Sequence, residues 1–229
     1  MRLASSVFAV IAVSFAAAAW GQSKNLAPGF TSLPKGASVV IMPTDIELFS
    51  ISGGGVLEPK ADWTEAATRH FKAALLRKKQ TLGLSPMELS EKDADELAEV
   101  NTLHAAVARA IALHHFGSLT LPTKEGKLDW SLGEPVRAIK KATGADYALF
   151  SWVRDSYTSA ERVAAMFALA LVGVGVGGGA QIGYASLVDL NTGQVLWFNR
   201  LQRGRGDLRE ADKAAETVDA LLSEFPITK

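Results

Sequence analysis

Gly144-Ala-Asp-Tyr-Ala-Leu-Phe-Ser-Trp-Val153 and Gly183-Tyr-Ala-Ser-Leu-Val-Asp-Leu-Asn-Thr-Gly-Gln-Val-Leu-Trp-Phe-Asn199 decide the fold. The first stretch predicts a strand from Tyr147 to Val153, apolar on both faces and therefore central in a sheet. The second predicts two strands, from Gly183 to Leu190 and from Gln194 to Leu201. They meet at Asn191-Thr-Gly193, where Gly193 takes the positive φ of a bulge turn. Three neighbouring strands result, with an Ala/Gly/Val insertion between the first two.

Outward from these strands the chain alternates in type. Ala37 to Met42 is a short β-branched run closed by Pro43, and Ile46 to Ile51 reads as a second strand or an extension of the first. A helix is expected from Asp62 to Lys79, with Asp62 and Glu65 as a capping-box variant. A longer one starts at Ser90. Ser131 with Glu134 caps a third, ending at Gly144, and the last helix runs from Asp207 to Phe225, with Asp207 as its N-cap. The fold class is α/β (α+β): one mixed sheet of about 4–5 strands flanked by about 4 helices.

Arg2 followed by the apolar segment Leu3 to Ala19, with Ala19 and Gly21 at small-residue positions, has the secretory pattern, with cleavage after Gly21. The expected organisation is a signal peptide over 1–21, an irregular lead-in over 22–36 and a single domain over 37–229. Such a protein is periplasmic or secreted. The chain has no cysteine, so it is not a lipoprotein, and no disulfide braces it. Net charge is +0 and the pI is about 6.9. Nucleic-acid binding needs a clustered basic face, and none is visible; no nucleic-acid partner is expected.

No constellation of residues carries catalysis, and neither enzyme activity nor a cofactor is expected. Gly173-Val-Gly-Val-Gly-Gly178 fits the dinucleotide pattern of glycines, but a strand follows it rather than a helix. His104, His114 and His115 do not make a metal site, because His104 and His115 stand about 16 Å apart along one helix. Arg203-Gly-Arg205-Gly-Asp207 contains Arg-Gly-Asp, read here as a helix entry. Trp152, Tyr184, Trp197 and Phe198 lie on adjacent strands and suggest cross-strand packing or a stacking platform.

Two apolar features stand out as contact surfaces. The first is the run from Val163 to Ala180, in which no charge lies between Arg162 and Asp189; its interaction residues are Val163, Phe167, Leu169, Leu171 and Val174. It is either a buried helix or hairpin covering the sheet, or an element that touches a membrane or another copy. The second is a heptad-like stripe of Leu97, Val100, His104, Val107, Ile111 and His114. It packs on the sheet, with pairing to a partner chain as the sharper alternative.

Val39-Val-Ile-Met-Pro43, Thr143-Gly-Ala-Asp-Tyr-Ala-Leu-Phe150 and Ala185-Ser-Leu-Val-Asp-Leu-Asn-Thr-Gly-Gln-Val-Leu-Trp197 resemble a group of bacterial envelope proteins. That group includes the curli secretion channel subunit, the TolB type of N-terminal domain and small lipoproteins with the same α/β unit. The whole chain also resembles an exported proteobacterial family. The resemblance implies a non-enzymatic component of envelope assembly or transport, whose partners are other envelope proteins, itself or a membrane. The apolar insertion raises the alternative: a membrane-inserting oligomeric pore component that uses residues 160–180.

Overall fold

The computed structural model describes residues 23–82, 85–89, 91–173, 175, 177–204 and 206–227. The stretch expected to be a signal peptide lies outside them. A mixed sheet forms the middle layer. Its central strand, β5 (Tyr147–Thr158), is the one read from the apolar stretch and runs five residues further than expected. Along one edge of β5 lie β1 (Ser38–Ile41) and β2 (Asp45–Ile51), end to end and both parallel to it. Three residues, Met42-Pro-Thr44, stand opposite two on β5, so the ladder breaks where Pro43 has no N–H to donate.

On the other edge β6 (Gln181–Asp189) pairs antiparallel with β5, and β7 (Val195–Arg203) pairs with β6. Gly193 holds the turn at φ +76°. Two short strands absent from the sequence reading complete the sheet. These are β3 (Leu57–Pro59), antiparallel to β2, and β4 (Ser85–Glu88), parallel to β1.

Helices cover both faces. On one lie α1 (Ala61–Thr81) and α6 (Ala211–Leu221), against Val39, Leu48, Leu149, Val153, Leu187 and Trp197. Lys78 of α1 pairs with Asp219 of α6 at 2.7 Å, and Leu48 N donates to Thr64 Oγ1 at 2.9 Å, tying α1 to β2. On the other face α3 (Ala98–His114) and α4 (Arg137–Thr143) pack on Val40, Ala148, Phe150, Val188 and Phe198. The side chains alternate between these two clusters along the strands, as the pleat requires, except at Leu196 and Trp197 of β7, which enter the same cluster where the register with β6 shifts.

Several helix starts differ from expectation. Asp62 lies inside the first turn of α1, and Glu65 pairs with Arg69 rather than reaching back. The long helix is broken at Leu97 into α2 (Glu91–Glu96) and α3. Ser131 bridges to Gln194 and accepts from Gly133 N, so it caps no helix. α6 begins only at Ala211. Asp207 instead closes a local turn, accepting from Arg209 N at 3.1 Å and pairing with its guanidinium. A short polar side chain can serve either use, and sequence spacing does not separate them. The segment ahead of β1 docks on the sheet: Ala27 is fully buried and its N–H donates to Leu196 O along the β7 edge.

Candidate functional site

The insertion forms an arm. Ser159 accepts from Arg162 N at 3.1 Å and starts α5 (Ala160–Ala170). Alanines sustain the helix, Leu171 to Gly173 end it, and Gly173 is at φ +80°. A core helix would bury one stripe, yet α5 has no buried residue. Phe167 is 71% exposed, Leu171 88% and Val172 72%. Val163 and Leu169 are also exposed, and Val174 lies outside the described residues. The expectation of a buried helix or hairpin over the sheet is therefore overturned. The faces of the sheet are already occupied by α1, α6, α3 and α4, which leaves α5 no face of the sheet to cover; only Arg162, Ala165 and Met166 of the helix are half-buried.

Val163, Phe167 and Leu171 recur every four residues and form one stripe; Ala160, Ala164 and Ala168 form a small-residue stripe beside it. At 11 residues α5 is about 16 Å long, half a bilayer core. Among the described residues, no helix is long and apolar enough to cross a membrane.

The root of the arm is rigid. Ser156 N donates to Ala180 O at 3.0 Å, Ala180 N donates back to Ser156 Oγ at 2.9 Å, and Ser159 N donates to Ile51 O at 3.0 Å. Arg162 reaches across the root to the carbonyls of Gly53 and Gly177. Gly179 passes so close to β5 that an added Cβ would lie 1.9 Å from Ser156 O. Gly179→Ala is therefore expected to cost about 2–3 kcal/mol and to lower the thermal midpoint. Gly177→Ala, with open space around it, is expected to leave that midpoint unchanged. Equal midpoints for the two variants would show that the root is not clamped.

Below the root is a polar network that the sequence reading missed. Asp155, Gln181 and Thr217 are all buried. The hydroxyl of Tyr157 donates to Asp155 Oδ2, as does Gln181 Nε2 at 2.6 Å. Arg203 Nε and Thr217 Oγ1 donate to Gln181 Oε1 at 2.8 and 3.1 Å. Burial pushes the Asp155 carboxyl above the usual carboxylate range, against these hydrogen bonds. It pushes the Tyr157 phenol up as well, with help from the neighbouring carboxylate. A buried acid of this kind is what catalytic sites tune. Here its bonds join β5, β6, β7 and α6 beneath the arm, which is the geometry of a brace. Asp155 lies past the apolar run that marks the strand, between Arg154 and Ser156, so no local pattern in the sequence singles it out.

The heptad-like stripe lies elsewhere. Leu97, Val100, His104 and Ile111 are buried against the sheet, and Val107 is half-buried. These residues are committed to the core, and the structure does not bring them together with the arm. His104 Nε2 sits 2.8 Å from Ser186 Oγ, and its ring stacks on Phe150 at 4.3 Å. His114 and His115 bond to the carbonyls of Leu119 and Lys24, so the three rings do not converge. Among the described residues no cluster of potential ligands could hold a metal ion. Trp197 and Phe198 are buried on opposite faces, while Trp152 stacks on Tyr184 at 5.0 Å.

No protein-family model matches this chain, and no curated protein does. Similar solved structures include the PelC dodecamer from Paraburkholderia phytofirmans, 14% identical, TM-score 0.39, covering 87% of this chain and 94% of that one. Lipoprotein GNA1162 from Neisseria meningitidis is 14% identical, TM-score 0.33, with coverages of 82% and 96%. The LpoB C-terminal domain from Salmonella enterica is 16% identical, TM-score 0.30, with coverages of 78% and 88%. At these TM-scores the likenesses carry no argument about partner, ligand or activity.

Proposed function

We propose that this chain is an exported, non-catalytic protein of the cell envelope that works by contact, with the α5 arm as the element that docks into another envelope protein. One observation carries the reading: an apolar helix without a single buried residue stands on a rigid root. An apolar patch of this kind on a water-soluble fold marks an interaction site. Export is supported by Arg2 and the apolar segment that follows it. The non-catalytic reading is supported by the brace role of Asp155.

A protein groove suits the arm better than a bilayer surface. Helices that lie on membranes carry Lys or Arg along a polar face. Past Glu161 and Arg162 in its first turn the arm is apolar all round, and its one cation, Arg162, is turned back onto the root. The small-residue stripe permits close helix–helix approach. The pore alternative finds no support in a helix of this length.

A photoreactive side chain placed at Phe167 and activated in intact cells tests the reading, with Asp219 on α6 as the control position. Protein adducts are expected from position 167 and not from 219. Adducts only with lipid would transfer the contact to the membrane, and identical patterns at both positions would remove the arm as a docking element.

A further inference from the structure

A second surface, separate from the arm, is built like a ligand site. Arg109 and Leu113 in the last turns of α3 face Ile182, Tyr184, Arg200 and Gln202 across a cleft of about 240 Å³. The register explains the convergence. Tyr184 is paired with Arg200 and Ile182 with Gln202, so all four side chains rise from one face of the β6–β7 ladder. Arg109 and Leu113, four residues apart, come down from the same side of α3.

Among the described residues, the polar side chains of the cleft find no ion-pair or side-chain hydrogen-bond partner. Neither the Arg109 nor the Arg200 guanidinium has a carboxylate partner among the described residues, whereas Arg154 nearby is held by both Asp45 and Glu47. Arg200 lies over the face of Phe116, at 5.5 Å. The Tyr184 hydroxyl and the Gln202 amide likewise have no hydrogen-bond partner among the described residues. No acidic residue lines the cleft. Both arginines act on the Tyr184 phenol, opposing the effect of its burial. The walls are apolar: Ala112, Leu113 and Ile182.

We propose that this cleft binds a small organic anion, a carboxylate or phosphate ester that carries an apolar group. The guanidiniums and the phenol hydroxyl hold the anionic oxygens, and the aliphatic wall takes the apolar part. Two unpaired arginines suit planar or tetrahedral oxyanions through forked hydrogen bonds. The ring of Tyr184, itself stacked on Trp152, fixes the floor.

Calorimetric titration of the full chain with phenyl phosphate tests the proposal, alongside inorganic phosphate and phenol. Phenyl phosphate is expected to bind with a salt-sensitive affinity and to perturb Trp152 fluorescence. Arg109→Gln and Arg200→Gln are each expected to weaken it by about tenfold or more, and Tyr184→Phe by less. Arg137→Gln, at a surface ion pair with Glu134, is expected to change nothing. All four substitutions are at exposed or half-buried positions, and circular dichroism checks that each variant is folded. Absence of phenyl phosphate binding, or binding indifferent to both arginine substitutions, would overturn the proposal. Inorganic phosphate or phenol binding as tightly as phenyl phosphate would also overturn it, because then charge and apolar wall do not act together. None of these residues belongs to the arm, so failure here leaves the docking reading intact, and the reverse holds.

Discussion

Replacing Phe167, Leu171 and Val172 together by serine is expected to abolish docking while leaving the fold unchanged. None of the three contributes to the core, so removing them takes nothing from folded stability. In a complex they would be the residues that leave water. Burying a Phe, a Leu and a Val yields about 5–8 kcal/mol in gross transfer energy. Part of that is offset by ordering and lost mobility on association. Even half of it is about sixty- to seven-hundredfold in affinity, at about 1.4 kcal/mol per factor of ten. The triple variant should therefore bind its envelope partner about a hundredfold more weakly in a pull-down, aggregate less when concentrated, and melt with the parent. Undiminished capture would show that docking lies elsewhere. A melting point many degrees lower would show that the arm packs on its own domain.

Acid is expected to destabilise the protein through His104. Its ring is 2% exposed, bonded to Ser186 and stacked on Phe150. Burial lowers its pKa from 6.5 to about 3. The folded protein thus keeps His104 neutral, while the unfolded chain takes up the proton near the ordinary value. The group's contribution is fully present above the unfolded pKa and is lost as pH falls from there towards the folded one. Two pH units into that window the loss is about 2–3 kcal/mol. His115, lowered by partial burial, adds in the same direction.

Urea unfolding across the range from about pH 7 to about pH 4.5 checks this. The parent should lose about 2–3 kcal/mol more than a His104→Leu, Ser186→Ala double variant, which removes the histidine and its partner together. Parallel lines for the two proteins would mean that His104 is not held neutral in the core.

Much of the fold is legible in the sequence because it rests on local patterns. The doubly apolar run from Tyr147 gives a central strand, and Asn191-Thr-Gly193 gives a hairpin whose glycine does take positive φ. What escapes is set by tertiary context. Asp207 and Ser131 are good cap residues by type, yet each is used in a turn. Nothing local marks the break of the long helix at Leu97. The charge-free insertion is visible at once, but whether it lies over the sheet depends on α1, α6, α3 and α4 having filled both faces first. The heptad-like stripe shows the same limit from the other side: its spacing fits a partner helix and a sheet equally well, and the sheet takes it. The cleft at Tyr184 is invisible in the sequence because Arg109 and Arg200 are 91 positions apart. Only the packing of α3 over the β6–β7 ladder brings them together.

The chain has no cysteine, so Phe167→Cys introduces a single thiol at the tip of the arm. Its rate of modification by a maleimide, measured in the purified protein and again in the native envelope, tests the exposed docking arm most directly. Fast labelling in the purified protein and strong protection in the envelope is the expected result. Equal rates in the two settings, or a thiol already shielded in the purified protein, would contradict it.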